Sequence, residues 1–278
     1  MGDGSAYTPY PEIGTDDSRD PIQEQRVMTH GGGDALGQLD GKIAVITGAG
    51  TGIGKGIARA YAREGAKLVI ASRNRETLDG TAAELTPKGA TVLVVPTDVT
   101  KEDQVVALYE RTVQEFGRLD ISVNNSGVFD GGPIEDLSLE TWQHVVDVNL
   151  TGVFLCTREA FKIMKAQDGG RIINIGSISA QMPRDNASPY ATTKHALVGL
   201  TKSTALEGRE HGISASILHP GNVVIERRAG STASADAEPM MTPDDIAIAA
   251  LAIAAMPHYA NMLESIVLPV DQEYLGRG

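Results

Sequence analysis

Cysteine is nearly missing from this chain. The single one, Cys156, excludes an intramolecular disulfide framework and a zinc site built from cysteines. Basic charge is scarce as well. Lys and Arg number 24 against 36 Asp and Glu, a net charge of −12, so the chain lacks the basic footprint of a nucleic-acid or anionic-membrane binder. No stretch approaches the roughly 20 consecutive apolar residues of a transmembrane helix. The start, Met1-Gly2-Asp3-Gly4, has no basic-then-apolar leader, so no secretory signal is read and a cytoplasmic protein is expected. The six histidines (30, 144, 195, 211, 219 and 258) form no pair at helical metal-binding spacing with carboxylates, so no metal is expected. No internal repeat is evident.

What is present suits an enzyme or binding protein with a sizeable core. The 278 residues are 41% hydrophobic and 22% charged, which fits one soluble α/β domain with a decorated end. The decoration is residues 1–38, with seven glycines, three prolines and seven acidic residues against two arginines. Such a segment buries too little apolar surface to offset its ordering entropy. It reads as a mobile acidic tail, or as an arm that docks on a neighbouring subunit through Tyr7, Tyr10 and Ile13.

From Leu39 to the end, short runs rich in Val and Ile alternate with longer amphipathic stretches. The runs are 42–47, 67–72, 91–96, 121–124, 171–175, 214–218 and 264–268, apolar at successive positions as in strands covered on both faces. Between them, Thr100 reads as the cap of a helix with Val105, Tyr109, Val113 and Phe116 at helical spacing. Thr242-Pro243-Asp244-Asp245 has the order of a helix start. The alternation implies a Rossmann-type doubly wound parallel sheet of about seven strands, which places ligands beyond the strands' carboxyl ends.

The residues after each strand carry the chemistry. After the first comes Thr47-Gly48-Ala49-Gly50-Thr51-Gly52-Ile53-Gly54, then a helical pattern. Glycines at 48, 52 and 54 permit a tight turn and close approach of a pyrophosphate to the helix N-terminus. A nucleotide-triphosphate loop would need Gly at 49 and Ser or Thr at 56 around Gly54-Lys55. The chain has Ala49 and Gly56. After the second strand, in Ser72-Arg73-Asn74, an arginine stands where a carboxylate would hold the ribose 2′-hydroxyl of NAD. Its fork suits a 2′-phosphate, so NADP (NADPH) is expected over NAD. Asp98, after the third strand, can accept a hydrogen bond from the adenine amine or serve as a helix-capping residue.

After the fifth strand stands Ser177, and thirteen residues on begins Tyr190-Ala191-Thr192-Thr193-Lys194. Residues i and i+4 share a helix face. An ammonium beside a phenol favours the phenolate, lowering the pKa from about 10 and making tyrosine useful as an acid or base near neutral pH.

In its set of motifs the chain resembles the short-chain dehydrogenase/reductase family, in its ordinary single-domain branch. The marks are Thr47-Gly48-x-x-x-Gly52-x-Gly54, Asp98, Asn124-Asn125-Ser126-Gly127, Asn149, Ser177, Tyr190-x-x-x-Lys194 and Pro220-Gly221. The resemblance implies that Tyr190 donates or accepts the proton and that Ser177 holds the substrate oxygen. Lys194 would hold the nicotinamide ribose and tune Tyr190, while Asn149 supports a water in the proton relay. It also implies cofactor contacts from Thr51, Ile53, Ser72, Asn74, Val99, Asn125, Ser126, Gly127, Pro220, Gly221 and Val223, beside Gly48, Gly52, Gly54, Arg73, Asp98, Tyr190 and Lys194. The implied activity is NADP-dependent interconversion of a secondary alcohol and a ketone. A catalytically silent dinucleotide-binding regulatory protein is the alternative, and an isomerase or dehydratase using bound NAD is a third. A homotetramer or dimer is implied through helices around 139–166 and 190–208, with Trp142 anchoring the first.

Three places depart from the family pattern. Ser126 replaces the usual alanine, Ile225 stands near the usual threonine after Pro220-Gly221, and the usual Asp-Gly-Gly ending is missing. The ending, with Thr242-Pro243-Asp244-Asp245-Ile246, Met256-Pro257 and 264–272, is similar to that of NADP-dependent 3-hydroxy acid and serine 3-dehydrogenase-like enzymes. Segments 128–133, 181–188 and a lid at about 224–241 form the expected substrate walls. The lid's small residues suggest mobility without ligand, and Arg227 or Arg228 would pair with a substrate carboxylate or face solvent.

Overall fold

The computed structural model describes residues 37–225 and 238–273. The acidic tail up to residue 36, most of the expected lid including Arg227 and Arg228, and the last five residues lie outside them.

Seven parallel strands form one sheet in the order β3-β2-β1-β4-β5-β6-β7. They are β1 (Ile43–Thr47), β2 (Lys67–Ser72), β3 (Val92–Pro96), β4 (Ile121–Asn124), β5 (Gly170–Ile175), β6 (Ile213–Pro220) and β7 (Glu264–Val267). The chain winds outward in opposite directions from β1 and β4, and a doubly wound sheet places its ligand beyond the carboxyl ends at this switch point. Side chains alternate between faces. Ala44, Ile46, Leu68 and Ile70 pack on one side with α1 (Gly52–Arg63) and α7 (Pro243–Ala254). Val45, Val69 and Ala71 pack on the other with α3 (Glu102–Phe116) and α5 (Gly152–Ala166). Each fully buried Val or Ile contributes about 1.5–3 kcal/mol relative to exposure, which is why these runs become inner strands. The helix α7 starts as its sequence predicts. Thr242 accepts from the Asp245 N–H, Asp245 accepts from the Thr242 N–H, and Pro243 opens the first turn.

Four expectations need correction. Not every strand is covered on both faces: β3 and β7 are only partly buried, because each is an edge with one neighbour. Thr100 does not cap α3. Lys101 takes that position, and the Thr100 hydroxyl and N–H both donate to Asp98 Oδ1 instead, at 2.8 and 3.0 Å. Val113 is exposed, because the buried face of α3 runs through Val105, Leu108, Tyr109 and Thr112. The helix around 139–166 is not uniform. The helix α4 (Leu139–Val146) continues through a π-helical turn, Asp147–Thr151, into α5. Asn149 is buried in that turn, and its side-chain amide meets the Val128 backbone and Thr193. Trp142 is half-buried on α4. Cys156 is buried in α5, where desolvation pushes its thiol up to about 12.

Candidate active site

The glycine loop is held open by its own geometry. Gly48 and Gly52 have φ of 66° and 53°, a conformation that strains any residue with a Cβ. At Gly54 the conformation is ordinary, but a Cβ there would collide with the Gly48 carbonyl and the Asn125 amide. Thr51 caps α1 without a side-chain hydrogen bond to the helix, and the first turn contains no acidic residue. The positive dipole end of α1 thus lies beside Ile53, which lines the cleft, a setting that fits an anion.

Neighbouring elements pin this loop from two sides. From α2 (Arg75–Leu85), the Thr81 hydroxyl donates to the Ala49 carbonyl at 3.2 Å. From the β4 end, Asn125 Nδ2 donates to the carbonyls of Thr47 and Gly48 at 3.0 and 3.2 Å. Thr47 Oγ1 in turn accepts from the N–H groups of Asn125 and Ser126. Behind them Asn124 Nδ2 donates to Thr157 and to Asn174 Oδ1, and Asn174 Nδ2 donates to Thr201. This buried ladder ties α5, β4, β5 and α6 (Ser188–Gly208) together beneath the site.

Ser72, Arg73 and Asn74 sit at the end of β2, where Asn74 caps α2 by accepting from the Thr77 N–H at 3.2 Å. Arg73 is exposed. It acts on Asp98 at the neighbouring strand end, beside the buried Val99. Partial burial would raise the Asp98 pKa, but the Thr100 hydrogen bonds, with Arg73 and Lys101, outweigh it and hold the carboxyl low.

One cleft lies beyond the ends of β4, β5 and β6. It is lined by Ile53, Asn125, Gly127, Ser177, Tyr190, Lys194, Pro220, Gly221 and Val223, together with Phe129, Arg184 and Asn222. The structure thus brings the expected serine, tyrosine and lysine into one space. Of the glycine loop, Ile53 lines the cleft; Gly48, Thr51, Gly52 and Gly54 belong to the same loop and helix start after β1, while Ser72, Arg73, Asn74, Asp98 and Val99 lie at or after the ends of β2 and β3. The Tyr190 ring meets Phe129 at a centroid distance of 4.9 Å, and Lys194 Nζ stands 5.5 Å from the Tyr190 ring centre. Lys194 is buried, donates to the Ile175 carbonyl at 2.8 Å, and has its pKa lowered by desolvation from 10.5 to about 8.

Asn149 is placed behind the cleft wall. Its Oδ1 accepts from the Val128 N–H at 2.8 Å and its Nδ2 donates to the Val128 carbonyl at 2.9 Å. Nδ2 also reaches Thr193 Oγ1 at 3.4 Å, next to Lys194. The amide fixes the Gly127–Val128 wall against α6.

Nothing in the sequence sets His219 apart from the other five histidines. It is fully buried in β6, and its Nδ1 lies 2.8 Å from the Ser177 carbonyl and 3.2 Å from the Ser177 nitrogen. Burial holds its pKa below the usual value, so a neutral ring supports the Ser177 backbone. Gly176 was the available signal, because a Cβ there would press against the His219 ring.

Comparison with known proteins agrees with this arrangement. The short chain dehydrogenase family model matches residues 42–235. A short chain dehydrogenase/reductase of Aspergillus oryzae is 39% identical over 191 residues, 68% of this chain and 73% of that protein. A 3-ketoacyl-(acyl-carrier-protein) reductase from Brucella melitensis, solved in complex with NADH, superposes with a TM-score of 0.76 at 33% identity, covering 82% of this chain and 97% of that one. An alcohol dehydrogenase from the archaeon Thermococcus sibiricus, solved with 5-hydroxy-NADP, gives a TM-score of 0.77 at 28% identity, covering 84% and 98%. The chain belongs to the short chain dehydrogenase family.

Proposed function

We propose that the protein is an NADP-dependent oxidoreductase that interconverts a secondary alcohol and a ketone, with Tyr190 as the acid/base. The observation that carries this is the convergence of Ser177, Tyr190 and Lys194 in one cleft beside the glycine loop. Bound nicotinamide supplies or takes the hydride. The loop fits the dinucleotide because Gly48 and Gly52 hold a turn that strains any residue with a Cβ and Gly54 leaves no room for one, so that a pyrophosphate could approach the backbone at the start of α1, where Thr51 and Ile53 flank the glycines. Ser126 and Gly127 would wall the cofactor with Asn125, and Pro220, Gly221 and Val223 would hold the nicotinamide. Val99 and Asp98 would hold the adenine, and Ser72 and Asn74 flank Arg73 in the chain. The Brucella and Thermococcus structures, solved with nicotinamide dinucleotides, support this assignment.

Ser177 and Tyr190 would hydrogen-bond the substrate oxygen, whose negative charge grows during reduction, and Tyr190 would supply the proton. Lys194 would hold the ribose and bias Tyr190 electrostatically. Asn149 would position the Gly127–Val128 wall and the water relay. Nothing in the described site favours a silent binding protein or an isomerase using bound NAD. A panel of ketones with NADPH, and of alcohols with NADP, followed at the nicotinamide absorbance, tests the reaction. Absence of any coenzyme oxidation or reduction would overturn it.

The preference for NADP over NAD rests on Arg73, exposed at the end of β2 with no acidic neighbour from Ser72 to Asn74. NADPH should bind more tightly than NADH. Arg73→Asp replaces attraction to a 2′-phosphate with repulsion and should weaken NADPH by about 10-fold or more while leaving NADH little changed. Titration by nicotinamide fluorescence checks this, and a wild-type preference for NADH refutes it. Exposed Phe154 on α5 and Leu206 on α6 support the further proposal of a homodimer or homotetramer through these helices, measurable by light scattering.

A further inference from the structure

The cleft contains a second cation that the proposed chemistry does not use. Arg184 lies between the turn after β5 and the start of α6, and it lines the same cleft as Ser177, Tyr190 and Lys194. No Asp or Glu is among the described residues lining that cleft, although the chain carries a net charge of −12. Arg184 Nη2 donates to Glu238 Oε2 at 2.9 Å and to Asn222 Oδ1 at 2.9 Å. Asn222 Nδ2 donates to the same Glu238 oxygen at 2.6 Å. Asn222 is itself fixed: it is buried, its N–H donates to Gln272 Oε1 at 3.0 Å, and its carbonyl accepts from the Met241 N–H at 2.9 Å.

We infer that Arg184 recognises a carboxylate of the substrate, and that Glu238 occupies its fork as an internal stand-in while no substrate is bound. The substrate class is then a ketone or alcohol carrying a carboxylate near the reacting carbon. This deepens the oxidoreductase reading and rests on it. A guanidinium presents parallel N–H groups that match both oxygens of a carboxylate, and such two-point pairs are stronger than single contacts. Glu238 reaches Arg184 through Nη2 alone, so a substrate carboxylate that displaces it from Nη2 and also takes the parallel Nε or Nη1 N–H gains a second hydrogen bond that Glu238 does not make. Exchange strands no buried charge, because the Glu238 side chain is 26% exposed and keeps the Asn222 amide as a donor. Of the arginines that could take this role, Arg227 and Arg228 lie outside the described residues, whereas Arg184 is in the cleft wall.

The test is a calorimetric titration with acetoacetate and with methyl acetoacetate, in saturating NADP so that no hydride can move. Wild-type protein should bind the acid at least about 10-fold more tightly than the ester, the range expected of a charge-assisted hydrogen bond. Arg184→Met should reduce that difference to about 2-fold by weakening the acid alone. Glu238→Gln should act in the opposite direction, tightening acetoacetate about 3- to 10-fold and leaving the ester unchanged, and it removes any ambiguity from misfolding of the Arg184 variant. Equal binding of acid and ester by wild-type protein, no binding of either, or equal weakening of both by Arg184→Met overturns the inference. Failure of the oxidoreductase reading looks different: acid-selective binding persists while no compound in the ketone panel consumes NADPH.

Discussion

Tyr190→Phe should lower kcat/KM by about 10²–10⁴-fold, the contribution of general acid–base catalysis, while cofactor affinity stays within about 3-fold of wild type. The substitution removes one oxygen and little else. The ring remains, and with it the packing on Phe129 at 4.9 Å and the Lys194 ammonium 5.5 Å from the ring centre. The helix α6 that carries both residues is fixed independently, through Asn174 Nδ2 donating to Thr201 and Asn149 Nδ2 reaching Thr193. A loss of turnover therefore reports the missing hydroxyl rather than a disturbed fold. The measurement is steady-state turnover on a substrate found with the ketone panel, paired with fluorescence titration of NADPH. A variant with near wild-type turnover would remove Tyr190 as the acid/base, and loss of NADPH binding in parallel would assign it to cofactor retention instead.

The sheet was legible because its inner strands, buried between two layers of helices, demand runs rich in Val and Ile, and the two edge strands keep enough of that pattern to be read. All seven runs became strands, with ends within two residues of those read from sequence. The glycine loop was legible from its position between β1 and α1, where the glycine cluster meets a helix N-terminus. Ser177, Tyr190 and Lys194 stood out by order and spacing, and the fold places them in one cleft. What escaped depends on adjacency across the sheet. The ladder from Thr157 through Asn124 and Asn174 to Thr201 exists only because β4 and β5 pair with Asn124 opposite Asn174. The π-helical turn around Asn149 adds a residue to a helix, and a periodicity count over 139–166 averages that away. The segment holding Arg184 has no repeat or motif, so its partner Glu238, 54 residues away, could not be paired with it from sequence.

Lys194→Met should change activity and stability in opposite directions. Lys194 is 5% exposed, and desolvation lowers its pKa from 10.5 to about 8. That fall corresponds to a penalty on the order of 3 kcal/mol for keeping the ammonium charged in the folded protein. Because the folded pKa lies below the unfolded one, the penalty is fully present below pH 8 and fades as pH rises from about 8 toward 10.5, where the unfolded chain also sheds its proton. Methionine has similar length and no charge. It forfeits the hydrogen bond to the Ile175 carbonyl, worth about 1 kcal/mol, and leaves a net gain of about 1–2 kcal/mol. For a domain of this size that raises Tm by roughly 2–8 °C. Turnover should meanwhile fall by about 10²-fold or more, because the variant removes the ammonium that stands 5.5 Å from the Tyr190 ring centre, one helical turn away. Calorimetry of both proteins without cofactor at pH 7 and again near pH 10 separates the causes. If desolvation of the ammonium is the source, the variant's advantage at pH 7 shrinks or reverses near pH 10. An advantage that is the same at both pH values would mean that methionine merely packs better, and a lower Tm at pH 7 would mean that the Ile175 hydrogen bond outweighs the cost of the buried charge. The expected pattern is that of a residue retained for chemistry against its own cost to the fold.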